Sequence, residues 1–256
     1  MPRAARIDIP DILQHVIVRG IEKRDIFLDD TDRASFVQRL GFLLRQTGTG
    51  CLAWSLMSNH FHLLLRPMSE KLSQFMRRLL TGYAVTFNLR HHRSGHLFQN
   101  RYKSIVCEED PYLLELVRYI HLNPLRVGTV RDVEELDRYP WTGHSVLLGR
   151  QALDGQNIGE VLAYFGKKTK VAREQYRRFM VDGAGQGRRN ELVGGGLRRV
   201  QKTGADGQPV SYDERILGSG EFVQRLTEEH GITGRMHPIT PAAALICQVA
   251  EVLGIS

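Results

Sequence analysis

Apolar and polar positions follow two different rhythms along the first half of the chain. The run Gln14-His15-Val16-Ile17-Val18-Arg19 is β-branched and ends at Gly20, which predicts a strand. Over residues 30–46, Ala34, Phe36, Val37, Leu40, Leu43 and Leu44 recur at helical spacing, and Gly48 and Gly50 break the pattern. Residues 51–57 and 61–65 read as two strands joined by a tight Ser58-Asn59 turn. A second helix is predicted over 72–88, with Phe75, Met76, Leu79, Leu80 and Tyr83 as core contacts. The stretch 97–106 contains a strand that places Arg101 and Lys103 on one face and Tyr102 on the other. Asp110 as N-cap and Pro111 at the first helical position then open a third helix, which ends near Asn123-Pro124. The order β-α-β-β-α-β plus a further helix predicts an α+β fold, a ferredoxin-like sandwich. Its two crossover helices cover one sheet face, and the added helix packs on the other.

Beyond residue 130 the rhythm changes. Tyr139-Pro140-Trp141-Thr142-Gly143-His144 reads as an ordered loop entering a short helix. Short helices are expected over 158–165, 172–181, 219–229 and 238–253, and the Gly-rich stretch 183–207 reads as loop or linker. The expected division is residues 1–145 as one domain, 146–218 as a basic helical and Gly-rich extension, and 219–256 as a helical tail. Charge supports a special role for the extension. The chain carries 35 Lys and Arg against 28 Asp and Glu, a formal net charge of +7. Residues 150–202 alone hold twelve basic and five acidic side chains, so the excess is concentrated there. A polyanionic partner fits that bias. Cys51, Cys107 and Cys247 form no CxxC pair, which excludes a disulfide framework and a thiolate zinc site. The first residues show no signal-peptide pattern, and no stretch reaches 18 apolar residues. A cytoplasmic protein without a membrane partner is expected.

Candidate chemistry lies in two places. His60-Phe61-His62 sits on the second strand of the predicted hairpin, where alternate residues share a face and the two imidazoles converge. Two neutral imidazoles can hold a divalent cation but cannot complete its shell. The alternative is a pair of separately hydrogen-bonded surface histidines. On the third helix Tyr119 and Asn123 are four apart and share a face. A tyrosine hydroxyl, with an ordinary pKa of about 10, becomes a useful nucleophile only against an activated electrophile. An amphipathic packing role is the plainer reading of Tyr119 alone. His121 points away from both residues, at i+2 on the helix.

Five segments in order turn these fragments into a pattern. They are His15-Val-Ile-Val-Arg-Gly20, Met57-Ser-Asn-His-Phe-His-Leu-Leu-Leu65, Gly95-His-Leu-Phe-Gln-Asn-Arg-Tyr-Lys-Ser104, Tyr119-Ile-His-Leu-Asn-Pro-Leu-Arg126 and Tyr139-Pro-Trp141. The chain resembles the IS200-like tyrosine transposases and, within them, the REP-associated branch. The resemblance covers about the first 145 residues. It implies a nuclease of the HUH class (histidine, hydrophobe, histidine) whose tyrosine attacks single-stranded DNA beside a hairpin. A 5′-phosphotyrosine forms, a 3′-hydroxyl is released, and no ATP is consumed. It further implies that His60 and His62 are metal ligands, that Tyr119 is the nucleophile, and that Asn123 is the third ligand. Mg²⁺ or Mn²⁺ is the implied cofactor, and a REP-like DNA hairpin the implied partner. A monomer is preferred over a homodimer.

Arg19, Arg101 and Lys103, with Arg3 and Arg6 near the start, are candidates for DNA phosphate contacts. The arm around Arg3 and Arg6 is a candidate for reading bases next to the hairpin; a solvated arm is the alternative. The segment 238–253 looks like the first helix of a truncated helix-turn-helix-like module. Three rivals stand beside the transposase reading: a catalytically silent hairpin-binding protein, an RNA-binding module that stacks bases on its sheet, and a metal phosphoesterase that uses water. The first would be marked by loss of Tyr119, Asn123 or a motif histidine, and all four are present.

Overall fold

A computed structural model describes residues 6–187, 189, 192 and 213–232. Five strands form one sheet in the order β2-β3-β1-β4-β5. They are β1 (Gln14–Arg19), β2 (Gly50–Leu56), β3 (His60–Arg66), β4 (Lys103–Cys107) and the short β5 (Ile216–Leu217). The first four pair antiparallel in the expected ferredoxin-like arrangement, and β5 adds a parallel edge to β4. Register places His15 opposite Leu64 and Ile105, Ile17 opposite His62 and Lys103, and Arg19 opposite His60. Opposed residues share a face, so His15, Arg19, His60, His62 and Lys103 all lie on one side of the sheet.

The other side carries the two crossover helices, α1 (Asp30–Thr47) and α2 (Leu72–Arg90). Asp29 caps α1 by accepting from the Asp32 backbone N–H. Phe36, Leu40 and Leu44 of α1 and Phe75, Leu79 and Tyr83 of α2 meet Val16, Val18, Phe61 and Leu63 in one core. Thus Phe61, between the two histidines, is buried in the layer opposite to theirs.

The site face is covered by α3 (Glu109–His121), whose Leu113, Leu116, Val117 and Ile120 pack on Ala53, Leu64 and Ile105. After it come α4 (Asn123–Arg126), α5 (Val133–Arg138), α6 (Gly143–Leu147), α7 (Ile158–Ala163) and α8 (Thr169–Ala184). Val161, Leu162, Tyr176 and Met180 from α7 and α8 share a core with α3. The change of composition after residue 145 is therefore not a gap in the packing. The last described helix, α9 (Gly220–His230), joins Ile7, Ile9 and Ile216 in a third cluster.

Three local expectations change. The helix α3 starts at Glu109 with Glu108 at the cap, so Asp110 lies inside the first turn. The strand β4 starts at Lys103, which leaves Arg101 and Tyr102 in the preceding irregular segment. And α3 stops at His121, so Asn123 opens the next short helix after Leu122. Arg3, the segment 238–253, Cys247 and most of 183–207 lie outside the described residues. Among the described residues Cys51 and Cys107 are buried and in no disulfide, and no helix is long and apolar enough to cross a membrane.

Candidate active site

Strand β3 and the end of α3 bring three predicted residues, His60, His62 and Tyr119, together, and Asn123 follows at the start of α4. His60 and His62 project from β3 with ring centroids 5.4 Å apart. Tyr119, half-buried on α3, stands edge-on over His62 at 5.9 Å between ring centroids. His15 of β1 stacks on His62 at 5.1 Å and meets Tyr119 at 6.1 Å. Asn123 is buried at the start of α4, four residues on from Tyr119. Leu122 keeps right-handed helical backbone between α3 and α4, so the chain continues its turn and the i, i+4 relation survives the break.

Electrostatics favour neutral imidazoles here. Burial pushes the His60 pKa down to about 4, with Arg19 adding to the shift. Burial and then His15, His60 and Arg19 hold His62 well below the usual histidine range. His60 Nδ1 lies 2.7 Å from Asn59 Oδ1, while Asn59 Nδ2 donates to the Lys23 carbonyl at 3.0 Å. The Asn59 oxygen can only accept, so His60 carries its proton on Nδ1 and leaves the Nε2 lone pair available.

These residues fit a divalent cation. Among the described residues, no three His, Cys, Asp or Glu side chains come together to hold an ion. A shell around His60 and His62 therefore needs oxygen from elsewhere. Asn123 offers it: its amide nitrogen is buried without a hydrogen-bond partner, and a half-turn of the amide puts Oδ1 in that place. Imidazole nitrogen with amide and phosphate oxygen suits Mn²⁺ or Mg²⁺.

The cationic candidates separate. Arg19 and Lys103 are exposed on the histidine face, each in the same cross-strand row as one motif histidine. Arg6 is committed elsewhere: Nε and Nη2 donate to the Tyr102 carbonyl at 3.2 and 3.1 Å, and the guanidinium lies 3.9 Å over the Tyr102 ring. Arg101 is exposed on a groove of about 570 Å³ that Leu80, Leu97 and Phe98 also line. Gly20 makes the turn out of β1 possible, since a Cβ there would lie 2.1 Å from the Arg24 carbonyl oxygen.

Residues 9–123 match the family model described as "Transposase IS200 like". These residues, a little under half of the chain, are similar to the IS200-like transposase family. The matched span begins before β1, takes in both motif histidines and Tyr119, and ends at Asn123. At this coarse level the likeness is to DNA phosphoryl-transfer enzymes.

Solved structures give weaker likenesses. A REP-associated tyrosine transposase bound to a REP hairpin aligns at 17% identity and a TM-score of 0.48, over 59% of this chain and 87% of that one. A putative transposase from Deinococcus radiodurans R1 aligns at 18% identity and 0.32, over 45% and 92%. A bacterial tRNA(His) guanylyltransferase (Thg1)-like protein in complex with ATP aligns at 12% identity and 0.29, over 52% and 70%. No curated protein matches the chain.

Two residues near the IS200-like site escaped the sequence reading as site residues. His15 carries the signal of an alternating strand, since it stands four positions before Arg19 and so shares its face. Arg126 donates from Nη1 to the Tyr119 carbonyl at 3.0 Å and sets its guanidinium 5.1 Å from the Tyr119 ring. Only its place in the Tyr119-to-Arg126 segment pointed toward it.

Proposed function

We propose that the chain is a metal-dependent single-stranded DNA endonuclease and strand transferase that acts beside REP-like hairpins through a 5′-phosphotyrosine intermediate. The observation that carries this reading is the meeting of His60 and His62 of β3 with Tyr119 of the covering helix on one face of the sheet, with Asn123 buried one turn beyond Tyr119. A bound Mg²⁺ or Mn²⁺ would supply Lewis-acid stabilisation of the charge that develops on the scissile phosphate. His60, His62 and Asn123 would hold it.

The protein's own groups do the rest. Tyr119 presents its hydroxyl oxygen to phosphorus, loses its proton to solvent and forms the new P–O bond. The P–O3′ bond breaks, and the departing 3′-oxygen takes a proton from water. Energy of the phosphodiester is retained in the tyrosyl link, so a second 3′-hydroxyl reverses the step and rejoins DNA. The helix position of Tyr119, tied through its carbonyl to Arg126, limits the hydroxyl's search for the reacting geometry. Arg19 and Lys103 flank the histidines and would bind neighbouring phosphates. The protein is proposed to work as a cytoplasmic monomer.

The test uses single-stranded oligonucleotides carrying REP-like hairpins, incubated with Mn²⁺, Mg²⁺ or EDTA and run on denaturing gels. A covalent protein–DNA adduct is expected with either metal, none with EDTA, and none for Tyr119→Phe. Cleavage that survives in Tyr119→Phe without an adduct would replace the covalent mechanism with hydrolysis. Tight hairpin binding with neither product would leave a silent hairpin-binding protein as the better reading.

A further inference from the structure

The motif histidine His62 is not left to choose its own tautomer. Its Nδ1 lies 2.9 Å from Nε2 of His15, and His15 Nδ1 lies 3.3 Å from the backbone carbonyl of Leu192. All three partners are buried, His15 completely and Leu192 almost so. The carbonyl at one end decides the rest. An oxygen of that kind only accepts, so His15 must carry a proton on Nδ1. His15 is completely buried and forms no ion pair with a carboxylate among the described residues, so it is neutral and its Nε2 bears a lone pair. That lone pair must accept from His62, which therefore carries its proton on Nδ1. The Nε2 of His62 is left with its lone pair free, the same form that Asn59 imposes on His60.

We propose that His15 is the positioning residue of the site: held by the Leu192 carbonyl, it fixes His62 in the tautomer and ring orientation that presents Nε2 to a divalent cation. This rests on the metal reading of His60 and His62 given above, but the tautomer itself does not. The Leu192 carbonyl comes from the segment that follows α8, beyond the matched transposase residues. Leu192 thereby adds a residue from outside the matched span to the polar support of the motif. Partners of this kind, bonded to the far nitrogen of a ligating histidine, typically change metal affinity by about 10–100-fold when lost.

The experiment has two independent readouts on the full chain. The first is long-range ¹H–¹⁵N correlation of imidazole nitrogens in metal-free protein, which reports the tautomer directly. The second is titration with Mn²⁺ followed by calorimetry. Three variants separate chemistry from packing. His15→Gln places an amide oxygen where Nε2 was and still accepts from His62. His15→Asn has the same polarity but ends short of His62. His15→Leu removes the acceptor. The expected results are an Nδ1–H tautomer for His62 in wild type and in His15→Gln, with Mn²⁺ affinity within about threefold of each other. His15→Asn and His15→Leu should lose the single tautomer and bind Mn²⁺ about 10–100-fold more weakly. An Nε2–H tautomer of His62 in wild type overturns the proposal, as does unchanged Mn²⁺ affinity in His15→Asn. If wild type binds no Mn²⁺, the metal reading fails, and the tautomer spectra of wild type and His15→Gln still decide the role of His15.

Discussion

At the scale of single residues, what matters is which charges the sheet aims at the reacting face and which it spends on itself. Arg19 and Lys103 reach solvent beside His60 and His62, whereas the Arg6 guanidinium is bonded to Tyr102 and stacked on its ring. The consequence is measurable as salt dependence, because each phosphate contact to a single strand releases about 0.7 counterion. Replacing both Arg19 and Lys103 by Ala should weaken binding to a hairpin oligonucleotide and flatten the plot of log K against log salt by about 1.4. Arg6→Ala should leave that slope unchanged, since its cation is already occupied. Fluorescence anisotropy over a range of salt concentrations distinguishes the cases. An unchanged slope in the double variant would remove both residues from the DNA-contact set.

At the scale of elements, the nucleophile helix is held from behind by a buried polar chain. Asp137 of α5 accepts from His144 Nε2 at 2.9 Å, so His144 Nδ1 accepts a hydrogen bond from the Tyr176 hydroxyl at 2.8 Å. The Tyr176 oxygen in turn accepts from His121 Nδ1 at 2.8 Å, two residues from Tyr119. This joins α3, α5, α6 and α8. Glycine is required at 143, where a Cβ would come within 2.7 Å of His121 Nε2. Tyr176→Phe leaves two buried imidazole nitrogens without partners and should cost about 2–6 kcal/mol at roughly 1–3 kcal/mol each. Urea unfolding checks it; a loss below about 1 kcal/mol would show that the hydroxyl is not the joint. None of this network was legible in the chain beyond the orientation of His121, because its partners are set by how α8 lies on α3. What was legible were features with a short period. The alternation His60-Phe61-His62 placed two imidazoles on one face and a phenyl ring in the core, and the structure agrees. The break between α3 and α4 was missed because Leu122 stays helical, so nothing in spacing marks it. The role of His15 was hidden for a different reason: its partner is a backbone carbonyl 177 positions away, and a carbonyl has no sequence signature.

At the scale of the whole molecule, both polar systems depend on imidazoles kept neutral inside one continuous layer formed by α3, α7 and α8 against the sheet. Burial lowers His15 and His60 to about 4, holds His62 and His121 well below the ordinary range, and lowers His144 despite Asp137. In the unfolded chain these groups titrate near 6.5. Above that pH neither state binds the protons, and their contribution to the pH dependence vanishes. As pH falls from about 6.5 to about 4, the unfolded chain takes up protons that the folded protein refuses, so stability must drop. The slope is about 1.4 kcal/mol per pH unit for each fully titrating histidine. Below pH 4 a carboxylate adds to the loss: burial works against ionised Asp137, but hydrogen bonds from His144 and Arg177 outweigh it and keep its pKa low. Urea unfolding in EDTA should therefore show a midpoint that is flat from pH 8 to 7 and falls steeply toward pH 4.5. Proton uptake on unfolding at pH 5.5, measured by calorimetry in buffers of different ionisation enthalpy, should exceed two protons per molecule. A midpoint that stays level down to pH 4.5 would mean that water and counter-charges reach the imidazoles in the folded state. The dry polar layer behind Tyr119 would then not exist as described.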